Sequence, residues 1–235
     1  CAKDPDKHVR RWASEGSRPR LPWGERLDAF VKDPSPVLPI LEELKNDPEL
    51  YVRKSVANHL NDIGKDNPEV LLRVLQRWNK ETDSENRPRI DWITKHALRS
   101  LIKAGNPKAL KLIGVAGAEH IKLKNLKLNK RSYSLDERIE FECALVSTAK
   151  KPQKIVVDYV IHYVKSNGKT APKVFKLSSQ ILGPGETWLV RKKHHLKPVT
   201  TRRHYKGRHR LEIQVNGHRL GSFEWDLKVA SSRTK

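Results

Sequence analysis

A repeat in the first half of the chain limits the folds open to it more than any other feature of the sequence. Asp4-Pro5 is followed by Val9-Arg10-Arg11, and 43 residues later Asp47-Pro48 is followed by Val52-Arg53-Lys54. Aspartate favours a helix N-terminus, and proline fits the first helical turn, where its missing N–H costs nothing. Each copy therefore predicts the start of a helix that carries cations.

A weaker third copy places Trp92–Lys95 about 41 residues after Tyr51–Lys54. A period of about 40–47 residues built from helix pairs is typical of HEAT and armadillo repeats. The sequence thus predicts an all-α, HEAT-like helical repeat solenoid over residues 1–118. The chain begins at Cys1 and contains no methionine, so we expect a fragment that lacks its true N-terminus.

Apolar spacing predicts the partner helices, and glycines predict where helices end. Leucine, valine and isoleucine recur at helical spacing in three stretches, and residues 81–88 (ETDSENRP) have the composition of a loop. Glycine favours the position just beyond a helix. The predicted helix ends are Gly16, Gly64 and Gly105, and the apolar sets are Leu38, Leu41, Leu44; Val70, Leu71, Val74, Leu75; and Ala97, Leu98, Leu101, Ile102.

The apolar pattern changes near Gly114–Gly117, and from Ile121 onward apolar residues alternate as in strands. Seven short strands separated by glycine-rich turns predict an all-β, antiparallel sandwich of immunoglobulin-like type over residues 119–229, followed by a frayed tail at 230–235. The predicted strands are Ile121–Leu128, Arg138–Ser147, Lys154–Val164, Val174–Leu182, Thr187–Lys193, His209–Val215 and Arg219–Leu227.

Charge separates the two halves. The 235 residues carry a net charge of +21; residues 1–121 contribute +4 and residues 122–235 contribute +17. Phosphate backbones are the commonest partners of so basic a chain, although ribosomal, membrane-surface or heparin binding would give the same excess. We therefore expect a two-domain protein whose second domain binds nucleic acid.

Cations recur along the repeated helices, where they would line one wall of a solenoid. An alternative is that they form Arg–Asp ladders between repeats or a solvated face. The predicted DNA-binding residues here are Arg10, Arg11, Arg53, Lys54, Lys95 and Arg99, with Arg18 and Arg20 on flanking phosphates.

Two acids stand out on these basic helices. Glu15 and Asp62 each lie near a predicted helix C-terminus, where the helix dipole disfavours a carboxylate by about 0.3–1 kcal/mol. Arg11, one turn before Glu15, would offset that cost. Such acids could stabilise developing positive charge in a substrate or orient a water molecule; the alternative is that Glu15 pairs structurally with arginine and that Asp62 is a polar helix end.

The large aromatic residues divide into two groups. Trp78 is expected to pack between helices. Trp12 lies beside the acid, and Trp23 follows Leu21-Pro22 in a loop, so both are candidates for contact with a base or a sugar, with packing as the alternative.

The most basic stretch, residues 191–210, reads RKKHHLKPVTTRRHYKGRHR. It would span a strand end, a long loop and the next strand start, and so place its cations at one end of the sandwich for nonspecific phosphate binding. Its histidines lack the acid or cysteine spacing of a metal site. The predicted DNA-binding residues are Arg191, Lys192, Lys193, Arg202, Arg203 and Arg208.

Three stretches resemble one family closely. HVRRWASEGSRPRLPW, DPELYVRKSVANHLNDIGKDNP and WITKHALRSLIKAGNPKAL, between Asp4 and Leu112, are similar to the AlkC branch of the bacterial AlkC/AlkD DNA alkylation repair glycosylases. The resemblance implies a HEAT-like solenoid on double-stranded DNA, a C-terminal immunoglobulin-like domain as in some AlkC proteins, and further active-site helices upstream of Asp4. It also implies a monomer in the bacterial cytoplasm that associates with the nucleoid through DNA and uses no cofactor or metal.

The family releases N-alkylated bases such as 3-methyladenine or 3-methylcytosine from DNA. By resemblance, Glu15 of ASEG and Asp62 of HLND match the catalytic acids, and Trp23 of RLPW would lie against the lesion or its deoxyribose. An alkylated base is cationic and leaves readily, so the acids would stabilise the oxocarbenium-like sugar and position water. The alternative function is a non-catalytic DNA-binding HEAT-repeat scaffold, since composition and repeats alone reach only DNA binding.

Overall fold

The computed structural model describes residues 1–198 and 203–229. The chain divides into two compact units, Cys1–Ile113 and Gly114–Lys235. The first is built from helices and the second from strands, so the predicted change of secondary structure is confirmed. Within the described ranges, every helix falls short of the length and apolar character that a bilayer span requires.

The first unit contains eight α-helices and one short 3-10 helix among its described residues. They are α1 (Lys7–Glu15), α2 (Asp28–Lys32), the 3-10 helix Ser35–Val37, α3 (Leu38–Leu44), α4 (Leu50–Asp66), α5 (Pro68–Glu81), α6 (Arg87–Ala97), α7 (Arg99–Lys103) and α8 (Pro107–Leu112).

Helix α4 lies at the centre of this unit and packs against α1, α5 and α6. Apolar side chains along it, such as Val56 and Leu60, are completely buried, as is Trp78 of α5. The Trp78 indole donates a hydrogen bond to Glu42 Oε2 at 2.7 Å, so this tryptophan packs between helices as expected. Burial on this scale holds α3, α4, α5 and α6 around one core.

The sequence repeat is also a repeat of local structure. Asp4 and Asp47 each accept the backbone N–H two residues later, at 2.9 Å, and thereby fix the turn before a helix. Six residues after each aspartate, Arg10 and Arg53 donate from Nη1 to the carbonyls of the Asp-Pro pair, at 2.5–3.0 Å. The Asp-Pro pairs therefore lie in the turn that precedes the helix, not in its first helical turn.

One predicted helix end is wrong. Helix α4 runs through Gly64 to Asp66, whereas Gly16 and Gly105 follow α1 and α7 closely, as expected. A side chain at position 64 would clash with Leu71 of α5, so Gly64 permits close packing of two helices. Asp62 consequently lies inside the last turns of α4.

The described residues of the second unit form two sheets. The seven predicted strands are all present, and an eighth, of three residues, was not predicted. The strands are β1 (Ile121–Leu128), β2 (Ser132–Ser134), β3 (Arg138–Ser147), β4 (Gln153–Val164), β5 (Thr170–Leu182), β6 (Thr187–His195), β7 (Gly207–Val215) and β8 (His218–Lys228). The sheet orders are β1-β3-β6 and β2-β8-β7-β4-β5.

Strand β2 corrects the expectation of an entirely antiparallel sandwich, because it pairs in parallel with β8. Three residues are too few to show the alternation that marks a strand. Its anchor is Tyr133, which is buried, donates to Asn129 Oδ1 and meets the Trp225 ring edge-on. Apolar side chains such as Ile139, Tyr159 and Leu211 fill the core of the unit.

Candidate functional site

The two acids singled out in the sequence share one arginine. Glu15 is the last residue of α1, and Asp62 lies on α4, the helix against which α1 packs. Between them lies the guanidinium of Arg18. Its Nη1 donates to Glu15 Oε1 at 2.7 Å, and its Nε and Nη2 lie 2.8 and 2.6 Å from Asp62 Oδ2.

Glu15 is held in its ionised form. Burial raises the pKa of Glu15, but hydrogen bonds from Ser55 and Arg18 and the charges of Arg18 and Arg11 outweigh it, so the pKa lies below the ordinary value. The Ser55 hydroxyl donates to Oε2 at 2.6 Å. Arg11 was expected to offset the cost of placing Glu15 at the helix end. Its Nε lies 3.8 Å from Glu15 Oε2, so Arg18 and Ser55 make the closer contacts.

The two acids differ in exposure. The Glu15 side chain is 23 % exposed, whereas the Asp62 side chain is 2 % exposed. The second oxygen of Asp62 accepts from Lys65 Nζ at 2.8 Å. Glu15 is therefore the acid that water or a substrate can reach, and Asp62 lies behind Arg18.

A buried histidine lies beside these acids on α4. His59 Nδ1 is 3.0 Å from the Ser14 carbonyl oxygen, and burial lowers the pKa of His59 to about 4. A neutral imidazole facing a carbonyl carries its proton on Nδ1 and donates it, which leaves Nε2 as a bare acceptor. Among the described residues, His59 Nε2 has no hydrogen-bond partner.

Ser55 and His59 also belong to this cluster and were not predicted. Their signal is spacing: Ser55, His59 and Asp62 follow one another at i, i+4 and i+7, which places them on one face of α4. That face meets the C-terminal end of α1, because the Oγ atoms of Ser55 and Ser14 also lie 3.1 Å apart.

The loop after α1 carries the second tryptophan and is tied to α4 twice. Arg18 contacts Asp62, and Arg20 makes two 2.6 Å hydrogen bonds to Asp66, one turn further along α4. Trp23 lies between these ties and α2, with φ 64° and a fully exposed side chain. Trp12 on α1 is 67 % exposed, so neither indole is used in the core.

The predicted DNA-binding arginines of the repeats are engaged within the protein to different degrees. Arg10 pairs with Asp47 at 2.6 Å, and Arg53 donates to carbonyls at the start of its own helix. For Arg10 this is the Arg–Asp contact between repeats that the sequence left open. Arg18 differs most from its predicted place on a phosphate, because its guanidinium is buried between two carboxylates. Arg11 lies over the Tyr51 ring, 4.1 Å from its centroid.

Three other predicted cations remain exposed, namely Lys54, Lys95 and Arg99. Burial lowers the pKa of His96, and the nearby charges of Arg99 and Lys54 lower it further, which places these two cations around one imidazole. His96 itself stacks on Trp92, with ring centroids 4.8 Å apart. These side chains form a cationic patch of the kind that contacts phosphates.

In the second unit the basic stretch lies along strands more than was predicted. Arg191, Lys192 and Lys193 lie within β6, as predicted. The strand continues past its predicted end to His195, and β7 begins at Gly207, before its predicted start at His209. Hydrogen bonding extends the strand beyond its predicted end, because Arg138 of β3 still pairs with His195.

The cations of β6 are exposed but have acidic neighbours. Arg191 lies 3.2 Å from Glu142 and Lys193 lies 2.8 Å from Glu140. On the far side of β3, Glu142 is opposite Lys127 of β1. Lys127, Glu142 and Arg191 therefore lie side by side in one row across this sheet. The exposed lysines of β1 (Lys122, Lys124, Lys127) were not among the predicted DNA-binding residues.

The remaining predicted cations of this unit occupy different surroundings. Arg208 on β7 lies 3.7 Å from Glu224 and 3.6 Å from Asp226. The Arg203 guanidinium lies 5.8 Å from the centroid of the Tyr205 ring. Arg202 and the predicted tail at 230–235 lie outside the described residues. Within the described ranges, histidine, cysteine and acidic side chains form no cluster of three or more that could hold a metal ion.

Comparison with known proteins adds three findings. Residues 122–229 match the family model described as "Uncharacterised protein YhaZ, C-terminal Ig-like domain". The chain is 43 % identical over 222 residues to the uncharacterized protein YhaZ of Bacillus subtilis (strain 168), covering 94 % of this chain and 60 % of that protein.

A solved structure is similar along almost the whole chain. It is the Pseudomonas fluorescens alkylpurine DNA glycosylase AlkC bound to DNA containing an abasic site analog, which is 51 % identical with a TM-score of 0.91. The match covers 97 % of this chain and 62 % of that one. The chain thus spans about three fifths of the length of the relatives that it matches.

Proposed function

We propose, because this chain belongs to the AlkC-type family with a C-terminal immunoglobulin-like domain, that it acts as a DNA repair glycosylase on alkylated bases. The reaction is hydrolysis of the N-glycosidic bond of an N-alkylated base such as 3-methyladenine or 3-methylcytosine. The partner is double-stranded DNA that carries the lesion, bound by a bacterial cytoplasmic monomer.

One observation carries the proposal. Glu15 is ionised, partly exposed and fixed by Ser55 and Arg18, and the fully exposed Trp23 belongs to the loop that Arg18 ties down. A carboxylate held on a basic surface suits a reaction in which positive charge develops on the substrate. Glycosidic bond cleavage in a cationic nucleotide is such a reaction, since the sugar becomes oxocarbenium-like as the base leaves.

In this mechanism Glu15 faces the sugar, stabilises its developing charge and orients the attacking water. A preorganised charge is effective because no reorganisation is needed at the moment of reaction. Asp62 is the second acid, and its negative charge acts from behind Arg18. Trp23 and Trp12 are proposed to contact the lesion or its deoxyribose, since exposed indoles stack on bases and sugars.

The helices are proposed to form a HEAT-like solenoid whose exposed cations follow the phosphate backbone. Lys54, Lys95 and Arg99 are the strongest candidates, because they are exposed. Arg11 and Arg20 lie near the acids and are proposed to contact phosphates at the lesion. In the immunoglobulin-like unit, Arg191, Lys192, Lys193, Arg202, Arg203 and Arg208 are proposed to bind phosphates without base specificity.

The test is release of methylated base from alkylated duplex DNA by the whole protein, measured by chromatography of the free base. The proposal expects base release together with tighter binding to lesion-bearing DNA than to undamaged DNA. Equal affinity for both duplexes without base release would instead favour a non-catalytic DNA-binding scaffold.

A further inference from the structure

Arg18 is the most completely engaged charged side chain of the candidate site. Its side chain is 7 % exposed, and its Nε, Nη1 and Nη2 all meet carboxylate oxygens. The two acids come from different helices, so this single guanidinium joins the end of α1 to α4. An arginine at this depth is poorly placed to bind a phosphate at the surface.

The burial of Arg18 has a physical consequence for the acids. Two carboxylates that share a site repel each other, and without a cation between them one of them binds a proton more readily. Removing an arginine from water is also unfavourable unless its N–H groups find charged acceptors. Arg18 and the acid pair therefore stabilise one another.

We propose that Arg18 is a positioning residue that places its positive charge between Glu15 and Asp62, holds the two acids at a fixed separation, and fixes them relative to the loop that bears Trp23. This inference rests on the proposed glycosylase function, because it assigns the acids to that reaction. Arg18 acts through these neighbours and is not itself expected to touch the substrate.

The loop geometry supports the same role. Arg18 and Arg20 are two residues apart in the loop. Arg18 contacts Asp62 and Arg20 contacts Asp66, and these two aspartates lie one turn apart on α4. The Leu27 backbone N–H donates to the Pro19 carbonyl at 3.2 Å and closes the loop behind Trp23. The guanidinium that sets the acids thus also fixes the base of the loop.

The charged and titratable groups around Glu15 come from several elements. Arg11 on α1, Arg18 on the loop, and His59 and Asp62 on α4 face it, and Arg99 on α7 lies near enough to influence Asp62 and Arg18. Of these, Arg18 alone makes a close ion pair with Glu15. When Arg18 is removed, burial still raises the pKa of Glu15, and Ser55 and Arg11 remain to lower it.

The experiment compares Arg18→Gln and Arg18→Lys with the wild type in the whole protein. Single-turnover rates of base release are measured across pH on duplex DNA that contains one alkylated base. We expect Arg18→Gln to lower the rate at neutral pH at least tenfold, to change KM less than threefold, and to move the acid limb of the profile to higher pH. Arg18→Lys keeps the positive charge but loses the planar guanidinium. Its acid limb should therefore lie closer to that of the wild type than the acid limb of Arg18→Gln does.

Two controls define the comparison. Arg20→Gln removes the neighbouring tie to α4 without touching Glu15 or Asp62, so it should leave the acid limb in place even where it changes KM. Lys108→Gln breaks an exposed ion pair with Glu69 and should leave rate and profile unchanged. Thermal unfolding of each variant is recorded, and Arg18→Lys carries the test if Arg18→Gln does not fold.

A raised KM with an unmoved acid limb would overturn the inference, because it is the signature of a lost phosphate contact. Unchanged kinetics would overturn it as well. An NMR titration of ¹³C-labelled Glu15, assigned with Glu15→Gln, tests the electrostatic part without activity: the pKa of Glu15 should rise when Arg18 is replaced. If the wild type releases no base, the proposed function fails, whereas this titration still decides the role of Arg18.

Discussion

Arg18 Nη2 lies 2.6 Å from Asp62 Oδ2, and these two residues are 44 positions apart in the sequence. The contact connects the loop after α1 with the helix that begins the next copy of the repeat. It turns two isolated acids into one constellation in which Glu15 is accessible and Asp62 is enclosed.

Replacement of His59 should change the pH dependence of stability. Its pKa of about 4 in the folded state lies below the ordinary 6.5, so the unfolded state binds more protons between these values. Stability is therefore lost as pH falls from about 6.5 to about 4, by at most about 3 kcal/mol for a shift of this size. His59→Asn keeps an N–H donor but does not titrate, so urea unfolding at pH 7 and pH 4 should show a smaller loss in the variant. An equal loss in both proteins would mean that His59 is not buried as a neutral group.

Trp23→Ala should weaken binding to lesion-bearing DNA without lowering the melting temperature, because the indole is fully exposed. Stacking on a base contributes about 1–3 kcal/mol by alanine substitution, which corresponds to a loss of about 5-fold or more in affinity. Fluorescence anisotropy with damaged duplex and thermal unfolding measure the two effects. Trp78→Phe is the contrasting variant: Trp78 is completely buried, so the change should lower stability and leave affinity of the folded protein unaltered.

The cations of the helical unit should separate into two groups. Lys54→Ala, Lys95→Ala and Arg99→Ala should each reduce the slope of log affinity against log salt by about one unit, because each lost phosphate contact releases fewer counterions. Arg10→Ala should instead lower the melting temperature, since Arg10 is joined to Asp47 and to two carbonyls. A reduced salt slope with an unchanged melting temperature for Arg10→Ala would instead indicate that Arg10 contacts a phosphate.

Two pairs of substitutions on the β6 surface should change DNA affinity in opposite directions. Arg191→Ala with Lys193→Ala should flatten the salt dependence of DNA binding by about two units of slope. Glu140→Gln with Glu142→Gln removes the acidic neighbours of the same cations and should strengthen binding to any duplex. If neither pair of changes alters affinity, this face of the immunoglobulin-like unit serves another partner.

Much of the fold follows from local patterns in the sequence. Alternation and turn residues located seven strands. Eight of their fourteen predicted limits agree to the residue: both ends of β1 and β3, the start of β6, and the ends of β4, β5 and β7. Strand β2 was missed because its place depends on the burial of Tyr133 against Trp225, a contact between distant segments. Gly64 was misread for a similar reason: its role is set by Leu71 of the next helix.

The site could be predicted only in part. Glu15, Asp62 and Trp23 were predicted as site residues from the unusual placement of acids and aromatics on basic segments and from family resemblance, and the structure brings Glu15 and Asp62 together around Arg18. The burial of Arg18 could not be predicted, because an arginine among arginines gives no local sign of which one turns inward. The packing of α1 on α4 determines which arginine is buried, because it brings both carboxylates within reach of a single side chain.

The most direct test of the central claim is the single-turnover rate of methylated-base release by the wild type, Glu15→Gln and Asp62→Asn in the whole protein. We expect the wild type to release base and Glu15→Gln to lose about 10²-fold or more in rate, the size of effect seen when one preorganised group is removed. Asp62→Asn should also lose rate, and both variants should bind undamaged duplex within threefold of the wild type. Glu69→Gln, an exposed acid paired with Lys108, is the matched control and should keep the wild-type rate. Base release that is unchanged in Glu15→Gln and Asp62→Asn would contradict the account.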